Sequence, residues 1–307
     1  MPEVSYVQSH AAAPLDGGTT VLTLLVDNHA ERGGLLAEHG IAWHLRSGDR
    51  QLLFDTGQGF ALEHNAMRLG FDLGELDAVI LSHGHYDHTG GLSCVLDRAP
   101  TLPVFAHPAA LEPKYTRRSV EEIAAIGIPG TPDQLGRIRE RVRHVLGPTE
   151  VSKGVWATGP IPRCHGSQGL ERRFFLDVEA RQPDPLVDDQ SLFLDTTEGL
   201  VILLGCAHAG VLCTIRFVQS LRPGRPILAV LGGMHMAKAS AQQRRQVVEA
   251  LVELRVQRVA PAHCSGFPLA AELLGAFGDR CRPPAVGDVW NFPLPRQEGG
   301  DQSCRRK

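Results

Sequence analysis

The sequence predicts an α/β domain in which two β-sheets pack against each other. Three observations predict it. A chain of 307 residues with 43% hydrophobic and 21% charged residues suits one large α/β domain or two small ones. The two halves follow one order, a hairpin and then strand and helix units. No segment recurs at a fixed short period, which excludes a solenoid.

The first 18 residues are irregular. "TVLTLLVDN" (20–28) predicts a buried strand, and "GIAWHLRSGDRQLLFDTG" (40–57) a hairpin turning at Ser47, Gly48 and Asp49. "GFALEHNAMRLG" (59–70) has helical spacing, with Leu62, Ala66 and Leu69 on one face and Gly70 as its stop. "DAVILS" (77–82) and "LPVFAHP" (102–108) are short apolar runs of the kind central strands show. A helix is expected over 132–145 and a strand over 154–159. In the second half, 190–206 reads as a hairpin and 209–221 as a helix. The run 226–233 is a strand, 240–255 an amphipathic helix and 258–264 a strand. The organisation expected is one domain over 19–294, with long loops at 109–150 and 160–190, and a disordered tail at 295–307.

A net charge of −3 argues against a general nucleic-acid binder. There is no run of about 18 apolar residues, so no membrane span is expected, nor does the N-terminal stretch read as a secretory signal. Seven cysteines without a C-x-x-C pair argue against a disulfide framework and a four-cysteine zinc knuckle. A reducing cytoplasm is the compartment expected. Oligomeric state has no signature here.

The chemistry is concentrated in "VILSHGHYDHTGG" (79–91). His83, His85, Asp87 and His88 lie within six positions, just past a predicted buried strand. In extended backbone, residues two apart share a face. Neutral imidazole and carboxylate both suit zinc and other first-row divalent ions. The short spacing lets one turn serve two adjacent ions. Phosphate-binding glycine fingerprints are absent from this position.

"SHGHYDHTGG" resembles the H-x-H-x-D-H signature of the metallo-β-lactamase fold superfamily. "LLVDN", "AEHGIAWHL", "LLFDTGQG", "DDQSLFL", "GLVILLGCAHAG", "LGGMHM" and "PAHCSG" are similar to the subgroup named after the dihydropterin aminobenzene-phosphate synthase. The likeness runs from about residue 20 to about residue 292 and is weakest over 109–190. It implies an αββα sandwich of two mixed sheets flanked by helices, with the metal site at one edge. Carried over by position, His83 and His85 hold the first metal, Asp87 and His88 the second, and His263 is the last ligand of the second.

The middle ligands depart from the superfamily pattern. Where many members have a bridging aspartate after a hairpin, this chain has "LLGCAHAG", and His208 is the residue assigned to metal. Cys206 is either a thiolate ligand or a small buried residue. His165 is the nearest candidate for the Gly-His-Thr position. His235 is a ligand, a substrate or proton-transfer group, or a histidine supporting the ligands. Asp55 is expected to support the first metal-binding loop through hydrogen bonds. His29, His39, His44, His64, His107 and His144 have no ligand-like context and are expected in surface or core packing.

The resemblance implies a hydrolase using metal-activated water, with two divalent cations, zinc first and manganese or iron as alternatives. Asp87 and His235 are its catalytic candidates. Residues 112–173 hold eleven Lys or Arg against seven Asp or Glu, which favours a small anionic, phosphoester-like substrate if they cover the site. The competing reading places most of those arginines on an exposed helix face. A synthase-like transferase, a lactone or thioester hydrolase and a di-iron redox protein are the alternatives. Di-iron members usually carry glutamate where this chain has His85. Nucleic-acid-processing members carry an inserted domain, for which no stretch here is long enough.

Overall fold

The computed structural model describes residues 18–164 and 173–294. The expected irregular N-terminal segment (but for its last residue), the tail and His165 lie outside the described residues. The first sheet has seven strands. From edge to edge they are Val289–Pro293, Thr19–Val26, Ala42–Ser47, Arg50–Phe54, Ala78–Ile80, Val104–Ala106 and Val142–His144. The second has six: Arg258–Ala262, Ile227–Gly233, Leu200–Leu204, Leu192–Asp195, Val155–Ala157 and Thr149–Ser152. Both mix parallel and antiparallel pairs.

The two sheets pack because their strands alternate. Leu52 and Phe54 join Val201 and Leu203 in the layer between the sheets. Leu53 points the other way, under the helices Leu62–Leu69, Leu92–Arg98 and Pro132–Arg141. Leu200, Ile202 and Leu204 face the helices Val211–Leu221, Ala241–Glu253 and Phe267–Phe277. That is the period of two that strand geometry imposes. Each fully buried Leu or Phe side chain in these layers contributes about 1.5–3 kcal/mol. The result is the αββα sandwich. No helix among the described residues is long and apolar enough to cross a membrane.

The structure corrects three expectations. The helix expected over 132–145 ends at Arg141, and Val142–His144 instead pairs in parallel with Val104–Ala106. A β-branched valine beside an open sheet edge outweighs helical continuation. The stretch 109–150 is not mainly loop. Tyr115–Arg117 and Ile123–Ala125 form a small third sheet with Phe174–Phe175. Finally, Cys164 and Cys213 form a disulfide across 49 residues, with Cα atoms 5.5 Å apart, inside the usual range. No local spacing announces such a pair, and the argument from unpaired cysteines to a reducing compartment loses its ground.

His44 is 2% exposed, packed on Phe71 with its Nε2 3.0 Å from Gln51 Oε1. Burial lowers its pKa to about 4, against a slight opposing pull from Gln51. The unfolded chain takes up this proton near 6.5 and the folded one only near 4. Stability is therefore full above pH 6.5 and falls as pH drops through that window, by at most about 3 kcal/mol. His44→Gln is expected to shrink the fall in urea midpoint between neutral and mildly acidic pH. An unchanged pH slope would show that His44 does not carry it.

Candidate metal centre

The site forms where parallel strands of both sheets end at their carboxyl ends, the usual place for ligands in such sheets. Asp55 follows Phe54, and the 82–88 turn follows Ala78–Ile80. Cys206 and His208 follow Leu200–Leu204, His235 follows Ile227–Gly233, and His263 follows Arg258–Ala262. Asp55, Ala207, His235 and His263 adopt left-handed backbone, with φ of 60°, 53°, 52° and 47°. Each such non-glycine residue costs roughly 1 kcal/mol or more, and such strain collects at functional sites. Two glycines are dictated by close approach. A Cβ on Gly84 would lie 2.2 Å from the Ala110 carbonyl oxygen, and one on Gly205 2.2 Å from Ser82 Oγ.

Two groups of side chains converge side by side. In the first, His83 Nε2 lies 2.9 Å from His85 Nδ1 and 3.2 Å from His208 Nε2. In the second, Asp87 Oδ2 lies 3.3 Å from His263 Nε2 and 3.8 Å from His88 Nε2. His88 Nε2 is also 3.1 Å from Cys206 Sγ. The ligand atoms of His83, His85 and His208 fall within 4.8 Å of one another, as do those of His83, His88 and Cys206.

These donors fit a cation. Burial, reinforced by neighbouring imidazoles, lowers His83 and His208 well below the usual range, and burial brings His85 to about 3. They are therefore neutral, the form that ligates metals. Yet His83 Nε2 faces two other ring nitrogens in a buried space, and its single in-plane lone pair or N–H cannot serve both fully. A bound divalent ion would meet the lone pairs of all three. His85 Nε2 is likewise buried without a hydrogen-bond partner among the described residues.

The supporting contacts are equally specific. Asp55 Oδ2 is 2.6 Å from His88 Nδ1, which turns His88 Nε2 towards Asp87 and Cys206. Ser82 donates to the same carboxylate through its N–H and its hydroxyl, both at 2.7 Å. Burial alone would depress His88, but Asp55 and Asp87 hold it up to about 9 in the metal-free protein. Burial would raise Asp87, but His88, His263 and His39 hold it well below the usual carboxylate range. His263 is fixed twice. Its N–H donates to Asp27 Oδ1 at 2.8 Å, and its Nδ1 lies 2.9 Å from Asn28 Oδ1.

The structure brings His83, His85, Asp87, His88, His208 and His263 together, with Cys206 among them and Asp55 behind His88. His235 borders the site, its ring 4.3 Å from that of His208. His39 corrects the reading of it as ordinary packing, because its Nε2 lies 3.3 Å from Asp87 Oδ2. It is placed there by Glu38, whose carboxylate accepts the backbone N–H groups of Gln58, Gly59, Phe60 and Ala61. Asp27, Asn28 and His39 were not singled out from sequence. Asp27 and Asn28 do carry a signal, a polar pair directly past the end of a buried strand.

A cleft of about 680 Å³ opens on the site. Tyr86, Phe174 and Ile126 form its apolar wall, and Arg117, Arg118, Arg173 and Lys238 line it as well. Of the basic residues in 112–173, then, Arg117, Arg118 and Arg173 reach the cleft. Arg137, Arg139 and Arg141 sit on the helix Pro132–Arg141, three of the nine arginines rather than the majority the competing reading expected. Lys114 does neither. It is 1% exposed and bonded to Asp184 and Asp188.

Comparison with known proteins bears on the family and the fold. A crystal structure of Tm1679, described as a metal-dependent hydrolase of the β-lactamase superfamily, superposes with a TM-score of 0.74 at 28% identity. The match covers 88% of this chain and 98% of that one. The 7,8-dihydropterin-6-methyl-4-(β-D-ribofuranosyl)-aminobenzene-5'-phosphate synthase of Methanocaldococcus jannaschii is 24% identical over 283 residues, covering 89% of this chain and 96% of its own. The uncharacterized protein MJ0448 of the same organism is 27% identical over 254 residues, covering 82% of this chain and 93% of its own. The family profile matches residues 39–219, and with the αββα sandwich in place this chain belongs to the metallo-β-lactamase superfamily.

Proposed function

We propose that this protein is a two-metal hydrolase of small anionic, phosphoester-like substrates. The observation that carries the proposal is the side-by-side convergence of His83, His85 and His208 with Asp87, His88 and His263. The first set would hold one divalent ion. The second set, with Cys206 Sγ, would hold another, and imidazole with thiolate favours zinc over manganese or iron. When bound, two such ions would supply a water acidic enough to ionise near neutral pH and a Lewis acid for the substrate's phosphoryl or carbonyl oxygen.

The chain's own residues do the rest. Asp87, kept ionised by the imidazoles around it, orients the attacking group. His235, at the edge of the cleft beside His208, handles the proton of the leaving group. Arg117, Arg118 and Arg173 draw in the anion, and Phe174 walls off the reacting end from bulk water.

The test is metal content of fresh protein together with turnover of a bis-aryl phosphodiester and an aryl phosphomonoester. About two metals per chain and phosphodiester turnover abolished by chelator are expected. Turnover that survives complete metal removal would overturn the proposal. A second reading, a synthase-like transferase, is favoured by likeness to nearly the full length of the archaeal synthase. Two metals without hydrolysis of either ester would select it, or a lactone or thioester hydrolase.

A further inference from the structure

Three consecutive residues, Asp188, Asp189 and Gln190, tie down the loops that carry the first metal's candidate ligands. Asp188 Oδ2 accepts the N–H of Gly84, between His83 and His85, at 2.9 Å. Asp189 Oδ2 accepts the N–H of Ala209, next to His208, at 2.8 Å. Gln190 donates its backbone N–H to the Ser82 carbonyl at 2.9 Å and its side-chain Nε2 to the Leu81 carbonyl at 2.7 Å. All three are at most 1% exposed.

The two sets of loops come from different sheets. Leu81 to His85 follows a strand of the first sheet, and Cys206 to Ala209 a strand of the second. The 188–190 segment therefore spans the seam between the sheets at the first site. The 81–85 loop has little freedom to slide, because the Ala110 carbonyl oxygen sits against Gly84. A buried carboxylate accepting a backbone N–H makes a strong, directional bond. In the second group, His263 is instead fixed by Asp27 and Asn28.

We infer that Asp188, Asp189 and Gln190 are positioning residues that set the spacing of His83 and His85 against His208, and so set the metal affinity of the first site separately from the second. This rests on the two-metal reading. Contacts that orient ligands in this way are commonly worth roughly 10–100-fold in metal affinity.

Asp189 is the cleanest to test, because Asp188 also faces Lys114. The full-length protein is stripped of metal and titrated with zinc against a chromophoric chelator. Wild type, Asp189→Ala, Asp189→Asn and Gln190→Met are compared. His83→Ala identifies which bound equivalent belongs to the first site. Asp189→Ala is expected to weaken that equivalent roughly 10–100-fold and leave the other nearly unchanged. Asp189→Asn, which keeps an acceptor oxygen, should recover most of the loss. Gln190→Met, which removes only one side-chain donor, should weaken the same equivalent even if Asp189→Ala fails to fold. If wild type binds two equivalents and the folded variants leave the first unchanged, or weaken both alike, the positioning role is overturned while the two-metal reading stands. Wild type that binds no zinc overturns both.

Discussion

A His83→Ala variant is expected to lose about one metal equivalent or more and to turn over substrate on the order of 10³-fold more slowly. His83 is the hub of the first group, because its Nε2 faces both His85 and His208. His263→Ala should produce the matching loss in the second group, since His263 Nε2 is the imidazole aimed at Asp87 Oδ2 from the far sheet. His64→Ala is the control. His64 is half-buried, with its Nε2 2.8 Å from the Gly34 carbonyl oxygen and away from the site, so metal content and rate should hold. Full metal content in both ligand variants would sink the site assignment.

Lys114→Met is expected to destabilise the fold by roughly 3–5 kcal/mol, the cost of leaving buried charge without its partner. Lys114 Nζ lies 2.8 Å from Asp184 and 3.1 Å from Asp188, and all three side chains are at most 3% exposed. Burial disfavours its charge, but Asp188 and Asp184 outweigh that and raise its pKa. Denaturant unfolding at neutral pH reads the loss. Adding Asp184→Asn and Asp188→Asn to Lys114→Met should recover stability, because no buried charge is then left without a partner. A single variant within about 1 kcal/mol of wild type would mean that the triad is solvated in solution.

The sandwich was legible because its strands are local apolar runs and its hairpins carry their own turns. The 83–88 cluster was legible for the same reason, as its residues are neighbours in sequence. What escaped was whatever depends on distant contacts. Lys114 counted only as one of the eleven cations in 112–173, and only folding sets it against Asp184 and Asp188, 70 and 74 residues away. Asn28 reaches His263 across 235 residues. His39 looks ordinary until Glu38 binds the 58–61 amides and carries it to Asp87. The third sheet escaped because strands of two or three residues are too short to show a period.

The pairing of Val289–Pro293 with Thr19–Val26 has a consequence for how the protein is made. As the chain leaves the ribosome, one of its earliest strands waits for one of its latest before the first sheet has its outer edge covered. His263 also emerges long after His83, His85, Asp87 and His88. The proposed second site would therefore have all its candidate ligands only after residue 263 is made. A chain stopped between residues 264 and 288 would carry every candidate ligand the structure brings together, yet leave the Thr19–Val26 edge open to pair with another molecule. Such a truncated product should accumulate as aggregate, however much zinc the cell supplies.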